Sequence, residues 1–270
     1  MLTPGQVAHF ETFGLLVSRQ LFSPAEVDVI SREFDAAMLE DRDGQPLDGQ
    51  KHQSVREWFL GRPAAELLMY DERVHGPIEK LLGPGYSFLE WAENNANLYF
   101  GDTEWHPDQG WHPHIPGGRD DPNRFAEQWR NRYVPSVKVA FYLDPVGKET
   151  GCLRVIPGSH RSPFHEELWS LHADIPASVS ELESVRPKLL EMWEQATGDA
   201  ESGERFLSDP KVNHFGLEPR EVPSFPIESQ PGDAVFFSHR MWHSSFGGAA
   251  GRRMFSLNFR RAQTEDGEGV

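Results

Sequence analysis

The polar and apolar positions divide the chain into a helical first third and a strand-rich remainder. Thr3-Pro4-Gly5-Gln6 supplies an N-cap, a proline at the first helical position and a glutamine at N3, after which Val7, Phe10 and Phe13 recur at helical spacing. Gly14 ends that helix, and Leu15-Leu16-Val17 predicts a short strand. Ser23-Pro24-Ala25-Glu26 repeats the capping signature and opens a helix that gathers Val27, Ile30, Phe34 and Met38 on one face. From Asp41 to Gln53 the chain is polar and turn-rich, which predicts a loop. Asp71 to Leu82 predicts a further helix, stopped by Gly83-Pro84-Gly85.

From Tyr86 the period changes. Tyr86 to Glu90, Asn95 to Phe100, Val137 to Leu143, Cys152 to Ile156, Ala234 to Phe237 and Met254 to Phe259 are short apolar or alternating runs, punctuated by Gly, Pro and Asp. Short strands separated by long loops predict a mostly β fold with helical decoration, an antiparallel sandwich or barrel rather than a regular βαβ alternation. The stretch from His165 to Pro219 is polar with helical patches such as Val185 to Thr197, and reads as an insertion on or over the β core. With no internal repeat and no separating linker, residues 1–270 are expected to form a single domain: helices over 1–85, a β core from 86, and an insertion at about 165–219.

Composition narrows the classes of function. Hydrophobic residues make up 38% of the chain and aromatics 11%, enough for a substantial core, and 25% charged residues suit a globular protein. The formal charge of −16 would repel a phosphate backbone, so nucleic acid is not an expected partner; charge alone says nothing about a small-molecule substrate, whose site can carry its own sign. Cys152 stands alone, so no intrachain disulfide forms. No run of eighteen apolar residues predicts a membrane span, and the first residues lack the pattern of a signal peptide. A cytoplasmic location is the expectation. Oligomeric state has no signature in the sequence.

The densest group of potential metal ligands is Trp105-His106-Pro107-Asp108-Gln109-Gly110-Trp111-His112-Pro113-His114. Residues two apart on a strand face the same side, so His106 and Asp108 can offer an imidazole and a carboxylate to one cation. A second histidine from a distant strand would complete a facial triad, which leaves open positions for a bidentate co-substrate and dioxygen. That histidine is best sought in the segment from Gly232-Asp233 to His243, where a turn and a strand precede His243. An arginine nearby would pair with a co-substrate carboxylate. Alternation places Arg253 on the face of Phe255, Leu257 and Phe259, taken as the interior, and Arg252 outward with Ser256 and Asn258; a register slip of one would exchange them.

These pieces, in this order, resemble the phytanoyl-CoA dioxygenase family of iron(II)/2-oxoglutarate oxygenases, which is similar to the ectoine hydroxylases. The resemblance rests on Leu2-Thr3-Pro4, Phe13-Gly14-Leu15-Leu16-Val17 and Leu21-Phe22-Ser23-Pro24-Ala25-Glu26-Val27. It continues through Trp105-His106-x-Asp108, Ala140-Phe141-Tyr142-Leu143-Asp144 and Thr150-Gly151 through Gly158-Ser159-His160, and ends with Gly232-Asp233 through His243 to Arg253. It implies a double-stranded β-helix (a cupin-like jelly roll). It further implies Fe(II) held by His106, Asp108 and His243, and 2-oxoglutarate held by Arg253. Asn97 or Tyr99, on the strand before the metal motif, would help to bind co-substrate or substrate. The reaction implied is hydroxylation of a small molecule with O2, releasing succinate and CO2; desaturation or cyclisation shares the same centre. Asp108 argues against a halogenase, which would need a small residue there. Two departures stand out: the arginine lies about one residue closer to His243 than is usual, and the segment from His160 to Gly232 is longer.

Blander readings compete with each residue. His112 and His114 also lie two apart, but Pro113 and Pro116 suggest a loop and no carboxylate stands between them. His239 competes with His243, although on a strand it is equally a packed histidine. Pro157-Gly158-Ser159-His160 reads as a turn rather than a nucleophilic pair, and Cys152 as a small buried residue. A zinc hydrolase using the same triad would leave the arginine unexplained, and a catalytically silent jelly-roll binding protein would be indifferent to loss of Asp108.

Overall fold

Both capping signatures close as the sequence predicts. In the computed structural model, which describes residues 2–46, 52–68, 70–88, 94–99, 135–171, 187, 190, 191, 194, 215, 217, 220–245 and 252–261, helix α1 spans Pro4–Phe13 and α2 spans Pro24–Asp41. The Gln6 amide donates to the Thr3 hydroxyl at 3.3 Å, and the Thr3 amide to Gln6 Oε1 at 2.9 Å; Ser23 and Glu26 exchange the same pair of bonds. Such a cap contributes roughly 1 kcal/mol. Helix α2 buries Val27, Ile30, Phe34 and Met38 as expected, whereas α1 buries only Phe10 and leaves Phe13 exposed. Short α3 (Pro63–Leu68) precedes α4 (Glu72–Leu82), which Asp71 caps, and α5 spans Phe164–Leu171; most of the expected insertion at about 165–219 lies outside the described residues.

Among the described residues ten strands follow the helices or lie between them: β1 Leu15–Ser18, β2 His52–Arg56, β3 Ser87–Phe88, β4 Asn95–Tyr99, β5 Ser136–Tyr142, β6 Leu153–Val155, β7 Phe225–Ile227, β8 Ala234–Ser238, β9 His243–Ser245 and β10 Arg252–Arg260. Every pairing is antiparallel. Seven strands form one sheet in the order β1-β8-β5-β10-β4-β2, with β3 also on β10; three form a second in the order β7-β6-β9.

The centre of the large sheet is buried on both faces. One face packs on α1 to α4 through residues such as Phe34, Ile78, Val139, Phe236 and Phe255. The other faces the small sheet across Ala140, Tyr142, Val155, Val235 and Phe237. β5 and β8 are therefore buried at every position and read as unbroken apolar runs. Register fixes which side chain goes where: Phe255↔Phe141 and Leu257↔Val139 face the helices, while Met254↔Tyr142 and Ser256↔Ala140 face the space between the sheets.

Four elements escaped the sequence reading: β2, α3, β7 and β9. The expected loop up to Gln53 ends in edge strand β2, whose Gln53 is buried although polar. Its amide donates to the Met38 carbonyl (3.0 Å) and to Asp41 (2.7 Å), so it satisfies the end of α2 instead of filling a core. β7 and β9 are three residues long and carry no alternation long enough to detect. Among the described residues no helix is long and apolar enough to cross a membrane.

Candidate active site between the two sheets

His243 is delivered by a segment that changes sheets. Gly232 turns the chain into β8 at φ +95°, a conformation that favours glycine, and its carbonyl accepts the Phe22 amide at 3.1 Å. Asp233 beside it is buried. Burial alone would raise its carboxyl, but the amides of Gln230 and Gln20 and the Arg19 guanidinium outweigh that and hold it below the usual range. After β8, residues 239–242 cross to the small sheet, where His243 pairs opposite Val155. The crossing is braced twice. Ser159 Oγ accepts the Trp242 amide at 2.9 Å, so the Gly-Ser-His turn shapes this segment. Gly14, at φ +78°, accepts the Ser238 amide at 2.9 Å and packs so closely that a Cβ there would stand 2.4 Å from Met241 Cε.

The His243 side chain is buried between the sheets, its ring 5.3 Å from that of Phe237. Its Nδ1–H donates to the Met241 carbonyl at 2.9 Å. That bond fixes the tautomer and places the ring's lone pair on Nε2, the arrangement of a metal-binding imidazole. Ser245, two residues on, shares this face.

The two arginines take the opposite places from those expected. Arg252 is 5% exposed and lies on the face between the sheets; Arg253 lies on the helix side and is half-buried. The premise that Phe255, Leu257 and Phe259 mark the interior is correct, but the sheet has two interiors and theirs is the helix layer. Arg253 is already paired, bidentately with Asp144 (3.1 and 2.9 Å) and with Asp35 (2.9 Å), and its amide donates to Asp144 at 2.7 Å. Arg252 Nη1 instead donates to the Gly151 carbonyl and to Ser245 Oγ, the latter at 2.8 Å. Among the described residues it has no carboxylate partner, and its buried Nε has no hydrogen-bond acceptor.

Tyr99 and Asn97 lie on the same face of β4. The Arg252 guanidinium sits 4.2 Å over the Tyr99 ring. Asn97 accepts from His52 Nε2 at 3.1 Å and donates to Met254 Sδ at 3.4 Å. Tyr142 lines the same space; burial pushes its phenol up to about 12, with the Arg252 charge pulling back only part of that. Buried Cys152 is pushed up to about 11, away from thiolate chemistry. His239 donates through Nε2 to Asn258 at 2.7 Å, six positions along β10 from Arg252, and burial holds it neutral. His106, Asp108, His112 and His114 lie outside the described residues. The sequence reading missed Ser245 and His52; the small residue two places after His243 was the available signal for Ser245.

The buried His243 imidazole and the Arg252 guanidinium, which has no carboxylate partner among the described residues, come from different sheets and face the same space. The chain matches the phytanoyl-CoA dioxygenase (PhyH) family over residues 10–254. It belongs to that family of iron(II)- and 2-oxoglutarate-dependent oxygenases. Solved structures share the fold at low sequence identity. HygX from Streptomyces hygroscopicus, with nickel and 2-oxoglutarate bound, is 17% identical at a TM-score of 0.61, covering 100% of this chain and 95% of its own. The carbocyclase SnoK from nogalamycin biosynthesis is 14% identical at 0.60, covering 97% and 85%. EctD from S. alaskensis, with 2-oxoglutarate and 5-hydroxyectoine, is 17% identical at 0.57, covering 96% and 76%. No curated protein sequence matches the chain.

Proposed function

We propose that the two sheets form a double-stranded β-helix in which His106, Asp108 and His243 hold Fe(II). In this reading Arg252, in place of Arg253, anchors the far carboxylate of 2-oxoglutarate, and the enzyme hydroxylates a C–H bond of a small molecule. One observation carries the reading: Arg252 is buried beside Ser245 with its Nε unpartnered among the described residues. A desolvated cation without a counter-charge is costly, and a carboxylate presented to its fork would offset that cost. The donor set also fits, since two imidazoles and one carboxylate suit iron(II) and leave positions open.

Bound iron with 2-oxoglutarate supplies an oxidant derived from dioxygen, at the expense of decarboxylation to succinate and CO2. The chain's own contribution is placement. The Met241 carbonyl holds His243 in the coordinating tautomer. The Gly151 carbonyl and Ser245 hydroxyl hold one edge of the Arg252 fork and leave the other for the carboxylate. Phe237, Val155 and Val235 form an apolar wall that excludes water from the same space. HygX has also been solved with hygromycin B bound, which supports a small-molecule substrate for this fold.

The test is anaerobic titration of the metal-free protein with Fe(II), then 2-oxoglutarate, following the visible charge-transfer band of the chelate. The band should form in the native protein and vanish in Asp108→Ala. No band, and no succinate with any substrate in a broad panel, would leave a silent binding protein. A metal-bound protein whose hydrolytic activity ignores 2-oxoglutarate would be the zinc-hydrolase outcome.

A further inference from the structure

We infer that His52 and Tyr99 form a stacked pair that positions the Arg252 guanidinium for the co-substrate carboxylate; this rests on the proposed role of Arg252. The three residues occupy one row across three adjacent strands, since Arg252 on β10 pairs with Tyr99 on β4, and Tyr99 pairs with His52 on edge strand β2. The His52 and Tyr99 rings stack at 4.6 Å and 21°. The guanidinium carbon of Arg252 lies 4.2 Å over the Tyr99 ring.

Tyr99 is thereby held between a ring and a cation, and its plane sets the plane of the guanidinium. An arginine side chain is otherwise free to rotate about several bonds, and restricting it before the ligand arrives lowers the entropic cost of binding. The negative ring face also offsets part of the burden of a desolvated charge. His52 is tethered in turn by Asn97 Oδ1, at 3.1 Å. Asn97, expected from the family resemblance to touch co-substrate or substrate, acts in this arrangement as the anchor of the stack, with its amide nitrogen directed to Met254 Sδ. The edge strand that reads as a polar loop in the sequence thus supplies a residue two steps removed from the ligand.

The test is calorimetric binding of 2-oxoglutarate to the Ni(II)-loaded protein, which needs no turnover. Tyr99→Phe, which keeps both ring faces, should bind within about twofold of the native protein. Tyr99→Leu should bind about tenfold more weakly, and His52→Ala about threefold. Pyruvate chelates a metal through the same 2-oxo acid but lacks the far carboxylate, so its affinity should be the same in native and Tyr99→Leu proteins. A merely structural role would lower the melting temperature without this selective loss. If Tyr99→Leu does not fold, His52→Ala carries the test, and unchanged 2-oxoglutarate affinity in it overturns the proposal. Tyr99→Leu binding like the native protein while Arg252→Leu loses binding would sink the stack alone. Arg252→Leu binding normally would sink the reading beneath it.

Discussion

Arg252 and Arg253 are consecutive on β10 yet serve opposite faces of the seven-stranded sheet, one cation turned to Ser245 and Tyr99 and the other to Asp144 and Asp35. Replacing each should therefore have a different signature. Arg252→Leu should weaken 2-oxoglutarate binding by roughly a hundredfold or more, as expected when one partner of a buried charge pair is removed. Arg253→Gln should keep affinity within about threefold and lower stability by about 1 kcal/mol, discounted because the Asp35 end of the network is exposed. Titration of both variants in parallel decides the matter. A larger binding loss in Arg253→Gln would reverse the assignment.

Metal content should separate the two histidines of the β8–β9 segment. His243→Ala should retain far less iron or cobalt after dialysis than the native protein. His239→Gln should bind metal at native stoichiometry, because His239 is engaged by Asn258. Equal metal loss in both would contradict the choice of His243.

Acid should destabilise the protein earlier than carboxylate titration alone would. Burial lowers His239 to about 3 from 6.5, aided by the Lys138 charge and opposed by the Asn258 bond; burial likewise lowers His160 and His165 to about 4. Between those values and 6.5 the unfolded chain binds more protons than the folded one, so stability falls as pH falls. Each fully buried imidazole contributes at most about 1.4 kcal/mol per pH unit. Urea unfolding across pH 7 to 4.5 should show this decline, and His239→Gln should flatten it. A flat native profile above pH 5 would contradict it.

Gly232→Ala should cost about 2–4 kcal/mol, from a left-handed backbone conformation and a clash that flexible side chains cannot relieve. The added Cβ would stand 2.4 Å from the carbonyl oxygen of Phe22, whose amide donates to the Gly232 carbonyl and ties β8 to the start of α2. A midpoint in urea unchanged from the native protein would show that the turn tolerates a side chain.

What the sequence made legible follows from how local each signal is. Thr3 with Gln6 and Ser23 with Glu26 act within four residues, and both helices begin where the motifs place them. Most strands from β4 onward were visible as apolar runs because both faces of their sheet are buried. The same burial hid the site: with apolar neighbours on either side of β10, alternation could not say which interior contains His243, and the arginine choice fell to the helix side. Ser245 was silent because the Gly151 carbonyl it bonds lies 94 positions away in the chain, and His52 because it reaches Arg252, about two hundred positions on, only through Tyr99. The sequence placed His106 and Asp108 in the triad by their spacing and the family resemblance, and they stand as part of the proposal.

The left-handed Gly14 at the end of α1 lies under the crossing that delivers His243, its carbonyl receiving the Ser238 amide while Phe13 receives that of Gly158. The front of the chain is thus a footing for the His243 segment more than two hundred residues later. A shortened chain that begins after β1 would lose both this support and the strand that pairs with β8, so the segment that carries His243 depends on residues from Thr3 onward.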